Sequence, residues 1–315
     1  MTSGAMDEKP IGPDAVPLGP GTLRLSVIIT NWNTRELLAA CLRSLVPYIE
    51  NPDCEVILVD NGSTDGSPEM ASRDFSKVRV LAQKSNLGFG RANNIGIRAS
   101  RGRYLLILNS DTEVAPGALD LMCDFMDIHP DIGALGARLL NSDGSLQLSC
   151  RRFPSYKTVF FHRYSLMTKL FPRNRYSADY LMTETGHDRT MDVDWVSGAC
   201  LMARRETIEK VGLLDENFFM YAEDVDWCFR IHVGGWRVVY LPEARVTHHI
   251  GRSTRQVPGR MTYERHRSMW LFYKKHYSRG IVLLDVATFT GITVRCALMM
   301  TKNYIVSLLK GEARS

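Results

Sequence analysis

The chain has 315 residues, 45% of them hydrophobic, and a formal net charge of +5. That is enough apolar material for one large α/β domain, or for such a domain with a helical appendage, and the glycine, proline and charge fractions are those of an ordinary globular protein. There is no long Lys/Arg run and no nucleic-acid-binding motif, so no nucleic-acid partner is expected. Seven cysteines without a CxxC pair read as reduced core thiols.

Residues 1–22 carry scattered Gly and Pro with no apolar run and read as a disordered leader. LSVIIT (25–30) is an apolar, β-branched run, as expected of a buried strand. Helical spacing follows over 34–46, with Thr34 as the predicted N-cap. EVILVD (55–60) is a second strand, and NGSTDGS after it is a turn cluster. VRVLA (78–82) is a third strand, 89–99 a helix, YLLILN (104–109) a fourth strand and 115–128 another helix. Strands alternating with helices at this spacing predict a mostly parallel sheet covered on both faces.

Beyond about residue 140 the pattern loosens. NSDGS (141–145) suggests a hairpin turn, and 151–190, rich in Arg, Tyr and Phe, reads as a loop region. Regular structure resumes at VDWVSGACLMA (193–203), a helix at 223–233, a strand at WRVVYLP and a basic, aromatic helix at 260–277. The stretch 281–300 is strongly apolar, but Asp285 and Arg295 argue against a membrane-crossing helix. It is expected either to pack on the domain or to lie in a membrane interface. The domain limits are therefore 23–258, with a C-terminal helical region over 259–315.

Ligands of parallel sheets bind at the carboxyl ends of the strands. That rule selects Asn31-Trp32-Asn33, Asp60-Asn61-Gly62-Ser63 and Asn109-Ser110-Asp111. Asp111 either holds a hard divalent cation, Mg²⁺ or Mn²⁺, or caps the next helix. Asp60 to Gly66 either recognises a base or ribose or forms an Asx-type turn, with Asp65 read as a turn or cap residue. The segment from Asn86 to Asn94 contains GxG but not GxGxxG and follows the third strand, so it is not a dinucleotide fingerprint. Its glycine loop entering a helix, with Arg91 near the start, still suits phosphate. Glu223, Asp224 and Asp226 open a helix, where an ionised carboxylate can act as a general base. His248-His249 follows a strand-like segment and offers imidazole to a metal.

Taken in order, LSVIITNWN, VDNGSTDGS, NLGFGRANNIGI, LLILNSDTEV, WVSGACLMARR, FFMYAEDVDWCFR and HHIGRS resemble the inverting family 2 glycosyltransferases, most nearly their bacterial rhamnosyltransferase-like branch. The likeness covers about residues 24–255. It implies the GT-A fold and transfer of a sugar from a nucleotide-diphosphate donor, dTDP-L-rhamnose ahead of UDP-sugars, in polysaccharide or cell-wall biosynthesis. By resemblance, Thr30, Asn31 and Trp32 line the base pocket, Asp60 or Asn61 bonds the base or ribose, and Arg91 and Ser110 lie near the nucleotide. Gly198 keeps the floor of the site open. Asn109-Ser110-Asp111 stands in place of the family's DxD motif, leaving Asp111 as the main metal carboxylate. Of the acidic pair Glu223-Asp224, the second is the general base. His248 fits the late metal-ligand position better than His249. The acceptor is expected to be a glycan or polyprenyl-linked glycan, and the enzyme to be cytoplasmic or at the inner face of the membrane with peripheral contact. A non-catalytic nucleotide-sugar-binding protein and a nucleotidyltransferase are the competing classes.

Overall fold

The computed structural model describes residues 21–154, 180–182, 185–249 and 257–309. The expected leader, most of the expected loop region and the final residues lie outside them. Strands β1 (Leu23–Asn31), β2 (Cys54–Asp60), β3 (Arg79–Ala82) and β4 (Gly102–Asn109) run parallel in the order β3-β2-β1-β4. Between them lie α1 (Arg35–Ser44), α2 (Val46–Ile49), α3 (Ser67–Asp74) and α4 (Phe89–Ala99).

Alternate side chains of a strand point to opposite faces. In β1, Leu25, Val27 and Ile29 enter one core with α1, and Ile28 enters a second core with α4. In β4, Tyr104, Leu106 and Leu108 join the first core, and Leu105 and Ile107 the second. Both faces are covered, so these strands read as unbroken apolar runs, not alternating ones.

The chain then departs from the simple parallel expectation. The helix expected over 115–128 is α5 (Ala118–Ile128), and a short strand, β5 (Thr112–Val114), precedes it. After β6 (Ile132–Leu140), β7 (Leu146–Gln147) returns antiparallel across the expected NSDGS turn. β8 (Cys150–Arg151) pairs with β10 (Trp195–Val196) in a separate two-stranded ladder, and β9 (Met191–Asp192) lies on the last strand. The stretch 193–203 is thus divided between β10 and β11 (Cys200–Arg204). β11 sits antiparallel between β4 and β6. After α6 (Arg205–Val211) and α7 (Glu223–Val233) comes β12 (Arg237–His248), 12 residues long and longer than expected. Its pairing with β6 shifts between Leu241 and Arg245, and its end pairs with β5 through His248↔Thr112.

Two helices close the described chain, α8 (Pro258–His276) and α9 (Val282–Leu309). α8 is not a loose appendage, because Phe272 is buried in the second core. Asp226, fully buried on α7, accepts from Arg230 Nε (2.9 Å) and from His276 Nε2 on α8 (2.7 Å), and lies 2.8 Å from Lys275 Nζ. Burial opposes its charge, but the His276 hydrogen bond and the Arg230 and Lys275 charges outweigh that and hold the carboxyl well below the usual range. The third acid of the cluster is therefore a structural tie. All seven cysteines are free, five of them buried, in keeping with core thiols.

Removing one partner from a buried ionic cluster leaves uncompensated charge, so Asp226→Asn should cost about 3 kcal/mol of unfolding free energy at neutral pH. A carboxyl depressed on folding stabilises above its unfolded value, roughly 3.9, and that contribution is lost as pH falls through the folded value. Denaturant titrations from pH 6 downward should therefore fall more steeply below about pH 4 in the wild type than in the variant.

Candidate active site

The strand ends meet on one side of the sheet. Asn31 is wholly buried, and its Nδ2 donates to Asp60 Oδ1 (2.9 Å) and Ser63 Oγ (3.2 Å). Ser63 N donates to Asp60 Oδ2 (2.9 Å). Asn61 is buried as well: its Oδ1 accepts from Leu87 N (2.8 Å), and its Nδ2 donates to Asn86 Oδ1 and to the Gly88 carbonyl. The side-chain amides of both asparagines thus brace the loops at the strand ends. Thr34 occupies the N-cap position of α1, but its hydroxyl donates to Asn31 Oδ1 (2.6 Å). Asp65 takes over the capping, accepting from Arg35 N and Ser67 N. Trp32 is half-buried, and the Thr30 hydroxyl is buried without a partner. Ser110 lies 2.9 Å from the Thr34 hydroxyl. Arg91 is exposed and paired with Glu216 (3.4 Å).

Asp111 lies in the turn from β4 into β5 and is nearly buried. It does not cap α5, whose N-cap is Gly117, so the alternative reading of this residue falls away. The β12–β5 pairing brings His248 alongside, with Nε2 3.2 Å from Asp111 Oδ1 and 3.3 Å from Asn109 Nδ2. Gln147 settles the imidazole tautomer. Its Nε2 donates to Asn141 Oδ1 and the His248 carbonyl, so its Oε1 faces His248 Nδ1 at 2.7 Å. An amide oxygen only accepts, so Nδ1 carries the hydrogen, and in the neutral imidazole Nε2 is the bare ring nitrogen facing Asp111. A carboxylate oxygen and an imidazole lone pair held together, with the imidazole fixed from behind by an amide, fit a divalent cation. Among the described residues no third His, Cys, Asp or Glu joins them, which suits an ion that completes its shell with substrate phosphate oxygens. His249 turns away: its Nε2 meets Glu113 (2.8 Å) and its Nδ1 Ser142 (2.7 Å).

The second chemical centre is the start of α7. Asp224 Oδ2 accepts from Gly198 N (3.0 Å), and Oδ1 from Val225 N (2.9 Å). A Cβ on Gly198 would lie 3.3 Å from Phe89 and 3.5 Å from the Asp224 Cβ, so glycine lets the two segments meet this closely. Burial raises the Asp224 carboxyl, and the two amides favour its charged form. Glu223 is buried with Oε2 unpartnered, and burial followed by the Asp224 charge pushes it well above the usual range. Of the pair, Glu223 is pushed the further towards its protonated form, and Asp224 has the two amides that favour its charge.

Sequence reasoning missed what holds this centre in place. Tyr221 (φ 71°) and Ala222 (φ 67°) are consecutive left-handed residues without glycine, each costing on the order of 1 kcal/mol. α8 clamps the turn: Arg267 Nη1 donates to the Asn217 carbonyl and Ser268 Oγ to the Met220 carbonyl, both at 2.9 Å. On the other side Phe89 N donates to the Phe219 carbonyl (2.8 Å), an approach open only because Gly88 (φ 90°) lacks a Cβ.

The glycosyl transferase family 2 model matches residues 26–212. The chain belongs to glycosyl transferase family 2. It is a glycosyltransferase, moving a sugar from a nucleotide donor. It is 32% identical to N-acetylglucosaminyl-diphospho-decaprenol L-rhamnosyltransferase of Mycobacterium tuberculosis, over 91% of this chain and 98% of that one. It is 23% identical to the dTDP-rhamnosyl transferase RfbF of Shigella flexneri, over 85% and 87%. Among solved structures, the mannosyltransferase PcManGT of Pyrobaculum calidifontis in complex with GDP-Man and Mn²⁺ superposes with a TM-score of 0.55 at 16% identity, covering 96% of this chain and 84% of that one. The fold of this glycosyltransferase is thus the expected GT-A fold, a curled, mostly parallel sheet with added C-terminal helices.

Gly88→Ala would place a Cβ 2.5 Å from the Phe219 carbonyl oxygen at a left-handed φ. It should cost about 2 kcal/mol and, by displacing the turn before Asp224, reduce turnover more than tenfold. Gly117→Ala, also left-handed but with nothing within 4 Å, should cost about 1 kcal/mol and leave turnover intact. Parallel melts and transfer assays of the two variants check this.

Proposed function

We propose that this glycosyltransferase moves an L-rhamnosyl group from dTDP-L-rhamnose to a hydroxyl of a polyprenyl-diphosphate-linked glycan, with inversion, at the inner face of the membrane. One observation carries the chemistry: the Gly198 amide orients Asp224, and the carbonyl of the next residue, Ala199, accepts from Asn109 N at the entry to the turn that bears Asp111. The end-to-end similarity to a rhamnosyltransferase named for a lipid-diphosphate acceptor supports the donor and acceptor.

In this proposal Trp32, Thr30 and Asp60 receive the nucleoside, and Ser110 lies beside it. Asp111 and His248 hold Mg²⁺ or Mn²⁺, which when bound supplies positive charge against the departing diphosphate. The acceptor oxygen forms its bond to the anomeric carbon as the bond to the diphosphate oxygen breaks on the opposite face. Asp224 takes the hydroxyl proton, and the electron pair leaves with the nucleoside diphosphate. Glu223, protonated behind it, adds no second negative charge.

α9 supports the membrane location. Its charged residues are Asp285, Arg295 and Lys302. Asp285 is held from α8 by Tyr273 Oη (2.7 Å) and Lys274 Nζ (2.8 Å), and Arg295 Nη1 by Met269 Sδ (3.3 Å). The two interior charges thus lie against α8, while Val282, Leu283, Val286, Phe289 and Leu298 are exposed. An apolar face of this kind with exposed Arg279 and Lys302 at its ends fits an anionic bilayer surface, lying in its plane.

Asp224→Asn should keep dTDP-rhamnose affinity and lose transfer by 10² or more; turnover near wild type sinks the assignment. Asp111→Ala should weaken donor binding together with turnover in Mn²⁺ buffer. Because burial raises the Asp224 carboxyl, the acid limb of the kcat/KM profile should lie above the ordinary Asp value of about 3.9. The full-length protein should float with phosphatidylglycerol vesicles, and Leu283→Glu with Leu298→Glu should abolish flotation with donor binding unchanged.

A further inference from the structure

Arg265 on α8 borders the clamped turn, and Arg295 on α9 reaches the same helix one turn further along. The Arg265 guanidinium lies 4.7 Å over the Tyr221 ring, three residues before Asp224. Arg295 reaches α8 at Met269, one helical turn from Arg265, and its hydrogen bond there is to a thioether, a weak acceptor. Among the described residues neither arginine has a carboxylate partner, and Arg265 makes no hydrogen bond through its side chain. The acids of α7, α8 and α9 pair elsewhere: Glu264 lies 3.6 Å from Arg267, Asp285 is held by Lys274 and Tyr273, Asp226 by Arg230, Lys275 and His276, and Asp224 by two backbone amides, while Glu223 makes no ion pair among the described residues.

His266 packs into the same place without neutralising it. Its Nδ1 donates to the Thr262 carbonyl (2.7 Å), and its Nε2 is buried with no partner. Burial first, and then the Arg295 and Arg265 charges, pull this imidazole down towards its neutral form. Burial and the Arg265 charge act on the Arg295 guanidinium in the same direction. Two partly buried guanidiniums along one stretch of α8, with no carboxylate partner among the described residues, are costly for the protein alone. An ionisable group kept within an otherwise apolar, membrane-facing helix points to function. Guanidiniums recognise phosphate through paired, charge-assisted hydrogen bonds.

We propose that Arg265 and Arg295 form a diphosphate-binding site for the acceptor, between the apolar face of α9 and the turn that carries Asp224. This rests on the lipid-diphosphate acceptor reading above. A prenyl chain beside α9 would then place its diphosphate on the two arginines and the attached sugar towards Asp224. The chemistry recognised is a phosphate anion on a lipid, which an anionic headgroup shares.

The test uses full-length protein and its Arg265→Gln, Arg295→Gln and corresponding Lys variants, with melts as the folding control. Titration with farnesyl diphosphate should show about tenfold weaker binding for each Gln variant, largely restored by Lys, with farnesol and dTDP affinities unchanged. Equal farnesyl diphosphate affinity in wild type and Gln variants overturns the site. So does loss of farnesol binding in parallel, which would make the arginines merely structural. If only phosphatidylglycerol vesicles bind more weakly to the variants, the cluster is a headgroup contact and the acceptor assignment is overturned. If farnesyl diphosphate binding follows the arginines but no rhamnosyl transfer is found with any diphospho-glycan, the site stands and the proposed donor falls.

Discussion

Two adjacent residues, Gly198 and Ala199, connect both chemical centres of this glycosyltransferase. The Gly198 amide donates to Asp224 and fixes the carboxylate that accepts a proton in the proposed reaction. The Ala199 carbonyl accepts from Asn109 N (3.0 Å), at the entrance to the turn that bears Asp111. The proposed base and the proposed cation-binding pair are thereby referred to one short segment between β10 and β11. That segment is held because β11 is wedged antiparallel between β4 and β6. Any movement of β11 would shift both centres together, preserving their relation to a substrate between them.

The electrostatics of the two centres differ by construction. At one, Gln147 holds the His248 ring from behind with Nε2 towards a carboxylate, an arrangement suited to a cation. At the other, two neighbouring acids are crowded into a buried turn, which favours retention of one proton and leaves two backbone amides to stabilise the other charge. Around the second centre the strained residues Tyr221 and Ala222 are sustained by contacts from α4 and α8. α8 in turn is tied to α7 through the buried Asp226 cluster. The C-terminal helices thus belong to the machinery of the site and also carry the apolar face of α9.

Much of this was legible in the residues. The apolar runs of β1, β2 and β4 named the parallel half of the sheet, and the strand-end rule picked out Asp60 and Asp111. The acidic helix start gave Glu223 and Asp224. What the residues did not show was which distant groups their polar side chains would hold. Asn31 and Asn61 are polar groups at strand ends, as ligand-binding residues are, yet their amides are consumed in bracing loops. Arg91 sits near a helix start, but Glu216, far along the chain, claims it. Thr34 has the right position for a cap and spends its hydroxyl on Asn31.

The sequence by itself determined the family, the alternating half of the architecture and the residue types able to do the chemistry. These follow from periodicity, from turn composition and from short ordered motifs, all of which are local. Tertiary structure alone decided which histidine faces Asp111, because that depends on the register of β12 against β5. It alone separated Asp226 from the two acids beside it, since the partners of Asp226 on α8 arrive some fifty residues later. It also set which faces of α9 carry the two charges and which carry the exposed apolar residues. Each of these is a long-range pairing, and one sequence contains no signal for which distant groups will meet.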